Sequence, residues 1–554
     1  MDATSINGMA SEHRPQRTDD GRNDSPLLEL PNELIQHILS FLEPLDLAQV
    51  AQTCRHLHMQ SYDDILWQPI VNRYLPTPIS TPGPTKSFRD LYVAHHLHWF
   101  LVKHRIWFGD SEPGGKLLLS RYNESTGSIE ANTLLATRGV PKASFWEKDP
   151  IVIVHSFEPR ITLDTDRPAV KLDIDSSEAD PPNDQPSGRQ DAAQSAYSKE
   201  TLMGNVAESG LYSSLMLCRA LPPSAITGST SVWPPLRIAA PSRTRNVSQD
   251  GYNSVGHRPT RLSEVSHNNF RIRRWVEYTG RRTNPNFIFG SRADVTDALG
   301  INMRYFAPGM ESTVGGGLTI RMPEDITTYA TLPESCYVPT PQKPWQGIWI
   351  GDYSGHGCEF LLITQPDAKD ESPLPRGTNW LRRWFKGNRR GSDSSTTSFV
   401  SAVEQQDSSM TDSESYSPEQ VDEFEAPGPR LDGFRRPPVD TIAGDTQDYD
   451  DVPTGRLEAI KLTGDPNVPR GEYTFIAPDI GHGGFVRIAD EELFRGARVV
   501  RSAGHIAGRN FTHDQYTPSQ LIMVSHDTLA QFWQGFGHIS YYKRVDLDKL
   551  MESS

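Results

Sequence analysis

The chain has 554 residues, 70 acidic against 55 basic side chains, a net charge of −15, and 42 Gly plus 43 Pro with only 36% apolar residues. At about 150 residues per domain that length suggests three to four domains, yet a composition this polar predicts that part of the chain does not fold. No run approaches the ~18 apolar residues of a membrane span, the polar first 25 residues predict no secretory leader, and the overall acidity speaks against bulk nucleic-acid binding.

Cys54, Cys218, Cys336 and Cys358 lie far apart and never as CxxC, which excludes a disulfide framework and a Cys-rich zinc site. A nucleo-cytoplasmic setting (cytoplasm, nucleus or both) is expected, with no metal and no cofactor.

Residues 1–25 read as a disordered tail. Residues 26–75 then carry helical periodicity. Pro31 suits a first helical position, and Leu34, Ile35, Ile38, Leu39, Phe41 and Leu42 follow at i, i+3, i+4 spacing. That stripe is wider than one packing face needs. Pro44 is expected to end this helix. Asp46 is expected to cap a second one bearing Leu47, Val50, Cys54 and Leu57, and Ser61 with Asp64 resembles a capping box for a third. Three short helices with surplus apolar surface imply a covering partner.

Beyond, residues 87–172, 263–366 and 456–548 show short β-type runs such as Ile151–His155, Gln346–Ile350, Phe360–Ile363, Leu521–Val524 and His538–Tyr542. Ser291–Leu299 reads as a helix. Residues 173–262 read as a Pro/Ser-rich insertion broken by an apolar island, Leu211 to Leu221. Residues 367–455 read as a second, disordered insertion, basic and then acidic. Arg376 to Arg390 holds six positive charges with Trp380, Trp384 and Phe385 among them, whereas 391–455 carries −12 of the chain's −15. The acidity thus belongs mostly to one segment. The basic aromatic stretch is suited to a membrane surface or an acidic partner, or to pairing with the acidic run beside it.

The N-terminal letters Leu30-Pro31-x-Glu33-Leu34-Ile35-x-x-Ile38-Leu39-x-x-Leu42, then Leu45-Asp46-Leu47, Val50, Cys54-Arg55 and Leu66-Trp67, resemble an F-box. The resemblance implies docking of the Skp1 adaptor, and through it a cullin–RING ubiquitin ligase, with adaptor contacts at Leu30, Pro31, Leu34, Ile35, Ile38, Leu42, Leu45 and Leu47.

Three later fragments follow it in order. They are Gly347 to Ile363 around Asp352-Tyr353-Ser354-Gly355-His356, Ile460 to Pro469, and Gly504 to Thr512 with Tyr516-Thr517-Pro518. Together with Trp107 to Leu119 they resemble the substrate-binding domain of the F-box only protein 31 family. Arg509-Asn510 departs from that family's His-Gly. The implied architecture is α+β: a three-helix F-box, then a β-rich, barrel-like receptor interrupted by two long disordered insertions. The implied ligands are proteins presented by their C-terminal ends, amidated ones included, and cyclin-type regulators.

The residues offer a matching chemistry. Asp465, held by Pro466 in a tight turn, is an acceptor able to take the N–H groups of a terminal amide while repelling a carboxylate. Lys461, His356 and His505 would serve a carboxylate or the peptide backbone, with Tyr353 and Asn467 alongside. The plainer reading makes Asp465 an Asx-turn residue and both histidines structural.

A stand-alone enzyme built on Gly355-His356, Gly481-His482 and Gly504-His505 is the rival class. It lacks HExxH, GxSxG and a proper phosphate loop. A Skp1-bound scaffold that degrades nothing is the third reading.

Overall fold

The computed structural model describes residues 25–111, 114–140, 142–176, 178–179, 196–203, 211–227, 231–246, 256–279, 319–321, 325–353, 356–369, 371, 373–375, 377–378, 380 and 453–552. The expected tail, the Ser291–Leu299 helix, most of the basic aromatic stretch and nearly all of the acidic run fall outside them. The chain divides into two compact units, one of residues 1–99 with 124–127 and one of all the rest.

The first unit begins with four helices rather than three: α1 (Asn32–Leu39), α2 (Pro44–Val50), α3 (Arg55–Ser61) and α4 (Asp64–Asn72). Pro44 does not terminate α1; it stands in the first turn of α2 with Glu43 as the cap, and Asp46 follows inside that turn. The expected second helix breaks because Thr53 Oγ1 bonds the Val50 carbonyl at 2.7 Å. Cys54 is extended, and its sulfur accepts the Leu57 N–H, so α3 starts afresh.

The Ser61 capping box is also corrected. Ser61 ends α3 with its hydroxyl on the Leu57 carbonyl, and Asp63 caps α4 through the Ile65 N–H at 3.0 Å. Ile35, Leu39, Leu47, Leu57, Leu66, Trp67, Ile70 and Val71 form the interior of these helices. Trp67 Nε1 donates to the Ser61 carbonyl at 2.7 Å, which fixes α4 against the end of α3. A further helix, Phe88–Ala94, belongs to this unit.

The second unit holds two large sheets. In the first, Ser128–Thr137, Leu117–Asn123, Ile106–Gly109, Asp325–Thr331, Val265–Thr279, Leu211–Arg219 and Glu200–Leu202 lie side by side in that order. The stretch 173–262 is therefore not simply an insertion. Its apolar island supplies an inner strand, pairing Leu215 with Ile272 and Leu217 with Phe270. The island is short and flanked by Pro and Ser, so only its partner strand, some fifty residues on, reveals it as core.

The second sheet contains a closed eight-stranded barrel. Gly347–Asp352, Cys358–Thr364, Leu457–Lys461, Tyr473–Ala477, Arg498–Gly508, Thr512–Ser525, Thr528–Trp533 and His538–Arg544 each pair antiparallel with the next, and the last returns to the first through Gly351 opposite Tyr542. Closure removes the unpaired edges of an open sheet. Inward side chains including Trp349, Leu361, Leu457, Phe475, Val500, Leu521 and Leu529 fill one half of it. Its outer wall, through Ile348, Ile350, Phe360, Leu362 and Ile460, packs with Phe108, Leu117, Leu119 and Leu134 of the first sheet.

Because consecutive strands alternate in direction, the connections 353–357, 462–472, 509–511 and 534–537 all lie at one end. The long connection 365–456 leaves from the opposite end. No helix among the described residues is long and apolar enough to cross a membrane.

Candidate functional site

The barrel end carrying the four short connections has a polar interior. Alternation along Cys358–Thr364 turns Glu359, Leu361 and Ile363 to one side, and along Leu457–Lys461 it turns Leu457, Ala459 and Lys461 inward. Lys461 is 1% exposed. Its Nζ bonds Asp465 Oδ2, lies 2.8 Å from Glu359 Oε2, and sits 4.3 Å from the centroid of the Tyr353 ring. Tyr353 shares a 2.5 Å hydrogen bond with Thr474 Oγ1.

Next to these, Tyr542 donates to Gln531 Oε1 at 2.7 Å, Gln531 donates to Ser519 at 3.1 Å, and Ser519 pairs with Ser502 at 2.7 Å. Such a network holds inward polar groups that an apolar barrel interior would otherwise leave costly.

The two carboxyl groups around Lys461 are pushed apart in acidity. Burial raises Glu359 to about 8, against the pull of Lys461 and with the push of Asp465. Burial also works to raise Asp465, but the Lys461 charge and hydrogen bond, together with the Val468 N–H, hold it down at about 2. Burial thus favours the protonated form of Glu359, whereas Asp465 is held as a carboxylate bonded to Lys461. Burial and the neighbouring Tyr542 and Glu359 raise the Tyr353 phenol well above its ordinary range.

Asp465 also shapes the loop that follows. Its Oδ1 accepts the N–H groups of Asn467 at 2.6 Å and Val468 at 2.7 Å, an Asx turn. Both oxygens are thus occupied, one by the loop and one by Lys461, so Asp465 is not the open acceptor that the residues suggest. The loop is tied down further on. Gly464 N–H donates to the Gly114 carbonyl at 2.8 Å, and the Arg470 guanidinium donates to the carbonyls of Asp110 and Ser111, both at 2.7 Å. The Asn510 N–H then reaches the Pro466 carbonyl at 2.8 Å. Asn510, Phe511 and His513 have φ of 60°, 59° and 51°, a left-handed run that side-chain-bearing residues adopt only when their surroundings enforce it.

The remaining sequence candidates separate. His505 is buried on the outer side of this region. Its Nδ1 bonds the Tyr473 carbonyl at 2.9 Å, its Nε2 lies 3.4 Å from Asp514, and its ring stacks on Tyr516 at 4.3 Å. That is the structural role. His356 is exposed and outside the cluster, and Asn467 is half-buried, joined to it through its backbone. No group of three or more His, Cys, Asp or Glu among the described residues is placed to hold a metal ion. Sequence reasoning missed Glu359, Thr474, Gln531 and Tyr542. Only Glu359 left a signal, a lone acid at an inward position of an otherwise apolar strand.

In the helical unit the eight candidate contacts divide by exposure. Leu34, Ile38 and Leu45 are 49%, 43% and 62% exposed, with Phe41 beside them at 75%. Pro31 is exposed too, and Leu30 and Leu42 are half-buried. Ile35 and Leu47 are buried in the helices' own interior and present nothing to a partner.

Comparison with known families finds two matches. Residues 27–73 match the F-box-like family, and residues 329–549, which include the whole closed barrel, match the family described as the cyclin D1 binding domain. The matches support an F-box protein: a helical F-box region followed by a β-rich domain with an eight-stranded closed barrel.

Proposed function

We propose that this chain is the substrate-recognition subunit of a Skp1–cullin–F-box E3 ubiquitin ligase, acting in the cytoplasm or nucleus. One observation carries the reading: an F-box-like segment with an uncovered leucine–isoleucine face stands in the same chain as a barrel of the cyclin D1 binding type. In this reading the chemistry of ubiquitin transfer belongs to partner subunits, and the chain contributes no catalytic residue. Cyclin-type regulators are the substrate class that the barrel match favours.

The finer reading is that the polar barrel end receives the C-terminal ends of target chains, amidated ones included. The filled lone pairs of Asp465 change how this works. Asp465 sets the loop and the charge balance, and the incoming end meets the face that the loop builds.

The test combines both halves. The full chain with Leu34, Ile38 and Leu42 changed to Asp is expected to lose Skp1 retention while keeping its β-sheet circular dichroism. Retained Skp1 would sink the ligase assignment. Peptides differing only in a terminal amide or acid, titrated against the full chain, check the finer reading; equal affinities would remove it.

A further inference from the structure

Between α4 and the helix Phe88–Ala94 runs an irregular strap, Leu75-Pro76-Thr77-Pro78-Ile79-Ser80-Thr81-Pro82-Gly83-Pro84-Thr85-Lys86-Ser87. It is pinned rather than loose. Leu75 and Ile79 are 9% and 8% exposed. Asn72 Oδ1 accepts the Ile79 N–H at 3.0 Å, and Asn72 Nδ2 and Gln68 Nε2 each donate to the Ile79 carbonyl at 3.1 Å. Further on, the Thr85 hydroxyl donates to the Pro82 carbonyl at 2.9 Å, and the Phe88 N–H reaches Asp64 Oδ1 at 2.7 Å. With Ile79 held inward, Thr77 and Thr81 on either side of it are exposed, as are Pro76, Pro78 and Ser80.

Both threonines precede a proline, and neither lies in a helix or strand. The proline ring disfavours the helical region for the residue before it, and it brings no backbone N–H of its own. Each threonine is thus an outward hydroxyl followed by a residue with no donor to satisfy, the arrangement that a proline-directed kinase accepts. The strap carries one charged side chain, Lys86, so it holds no acid to repel the phosphates of a nucleotide. Two other Thr-Pro pairs are presented differently. Thr517 lies half-buried in the strand Thr512–Ser525, with its hydroxyl on the Gly504 carbonyl at 3.4 Å. Thr340 closes a tight turn in which its N–H and its carbonyl both pair with Lys343.

We propose that Thr77 and Thr81 are paired phosphoacceptors of a proline-directed protein kinase. In each step the threonine Oγ bonds to the γ-phosphorus of a nucleoside triphosphate. The bond from that phosphorus to the β,γ-bridging oxygen breaks, the nucleoside diphosphate leaves, and the hydroxyl proton passes to the kinase's base. Two phosphates bring a charge of about −3 to −4 to a strap that otherwise holds one lysine. The consequences at the two positions differ. Thr81 Oγ1 donates to Glu124 Oε1 at 3.2 Å, and Glu124 belongs to the same compact unit. Phosphorylation removes that proton and sets a dianion against a carboxylate, so the strap is released there. Thr77, on the other side of the Ile79 anchor, presents its phosphate to solvent. The inference stands apart from the ligase reading, because neither adaptor docking nor the Lys461 cluster enters it.

Incubating the full chain, and separately a synthetic peptide of residues 72–90, with a purified proline-directed kinase and ATP tests it, with fragment mass spectrometry locating the phosphates. The expected result is phosphate on Thr77 and Thr81 of the folded chain, each at least tenfold faster than on Thr517 and each lost in Thr77→Ala or Thr81→Ala respectively. Amide hydrogen exchange of the strap should then quicken at least threefold once Thr81 is modified. The increase should be smaller in Glu124→Gln, whose side-chain amide can donate to the phosphate. A folded chain that stays unmodified at both threonines overturns the proposal, whether or not the peptide is modified. Modification of both threonines with unchanged exchange overturns the release from Glu124.

Discussion

Lys461 Nζ lies 2.8 Å from Glu359 Oε2 across two paired barrel strands, with both side chains almost wholly removed from water. Asp465 completes the group from the loop that follows Lys461. The arrangement couples the inside of the barrel to the loop at its mouth, and several outcomes follow from its charge balance.

Lys461→Met removes the only cation of the group. Asp465 Oδ2 loses its partner and the two carboxyl groups face each other. A loss of about 3 kcal/mol is expected, as for breaking a buried charged pair. Adding Glu359→Gln to that variant is expected to change little more at neutral pH, because burial already keeps Glu359 largely protonated. Urea denaturation of the two variants checks both.

Glu359 gives stability a pH dependence of definite sign. Its folded pKa is about 8 against an ordinary 4.5. Between those values the folded protein keeps a proton that the unfolded chain has released. Stability from this group is therefore complete below about pH 4.5 and is lost as pH rises through 8. Asp465 acts oppositely, losing its contribution as pH falls toward 2, and so stays out of that window. Urea midpoints between pH 5 and 8.5 should decline less steeply in Glu359→Gln than in the parent chain.

Gly504 faces Trp533 inside the barrel, and a methyl group there would collide with the indole ring. Trp533 is half-buried, and displacing its ring to make room for the methyl group of Gly504→Ala is expected to cost about 1–3 kcal/mol. A red shift of tryptophan emission would report the displaced ring. The same change should weaken any ligand held at that end of the barrel.

Two neighbouring leucines of α2 separate structure from docking. Leu47 is fully buried, so Leu47→Ala should cost about 2–5 kcal/mol in the first unit. Leu45 is 62% exposed, and Leu45→Ala should stay within about 0.5 kcal/mol while weakening Skp1 binding. Thermal melts and Skp1 retention of the two variants should therefore move in opposite order.

Much of this was legible in the residues. The i, i+3, i+4 leucines of α1 announced a helix with too many apolar positions, and the strands around Trp349, Phe360, Leu521 and Ile539 stand where short β-type runs bounded by Gly and Pro placed them. The helix count failed because side chains decided the breaks: Thr53 and Cys54 turned one expected helix into two. At the barrel end, Lys461, Asp465, Tyr353 and the Asn467 backbone come together, whereas His356 and His505 do not join them.

The sequence by itself determined that a helical segment with surplus apolar surface precedes a β-rich region, and that the −15 sits mainly in 391–455 rather than in the barrel. Tertiary structure alone decided which leucines are buried and which offered, that Leu211 to Leu221 is an inner strand, and that Lys461 lies dry between two carboxyl groups. The reason is range. Periodicity and capping act over a few residues and can be read locally. The burial of Lys461 depends on Glu359, which arrives beside it only when strands separated by the long 365–456 connection pair and the barrel closes.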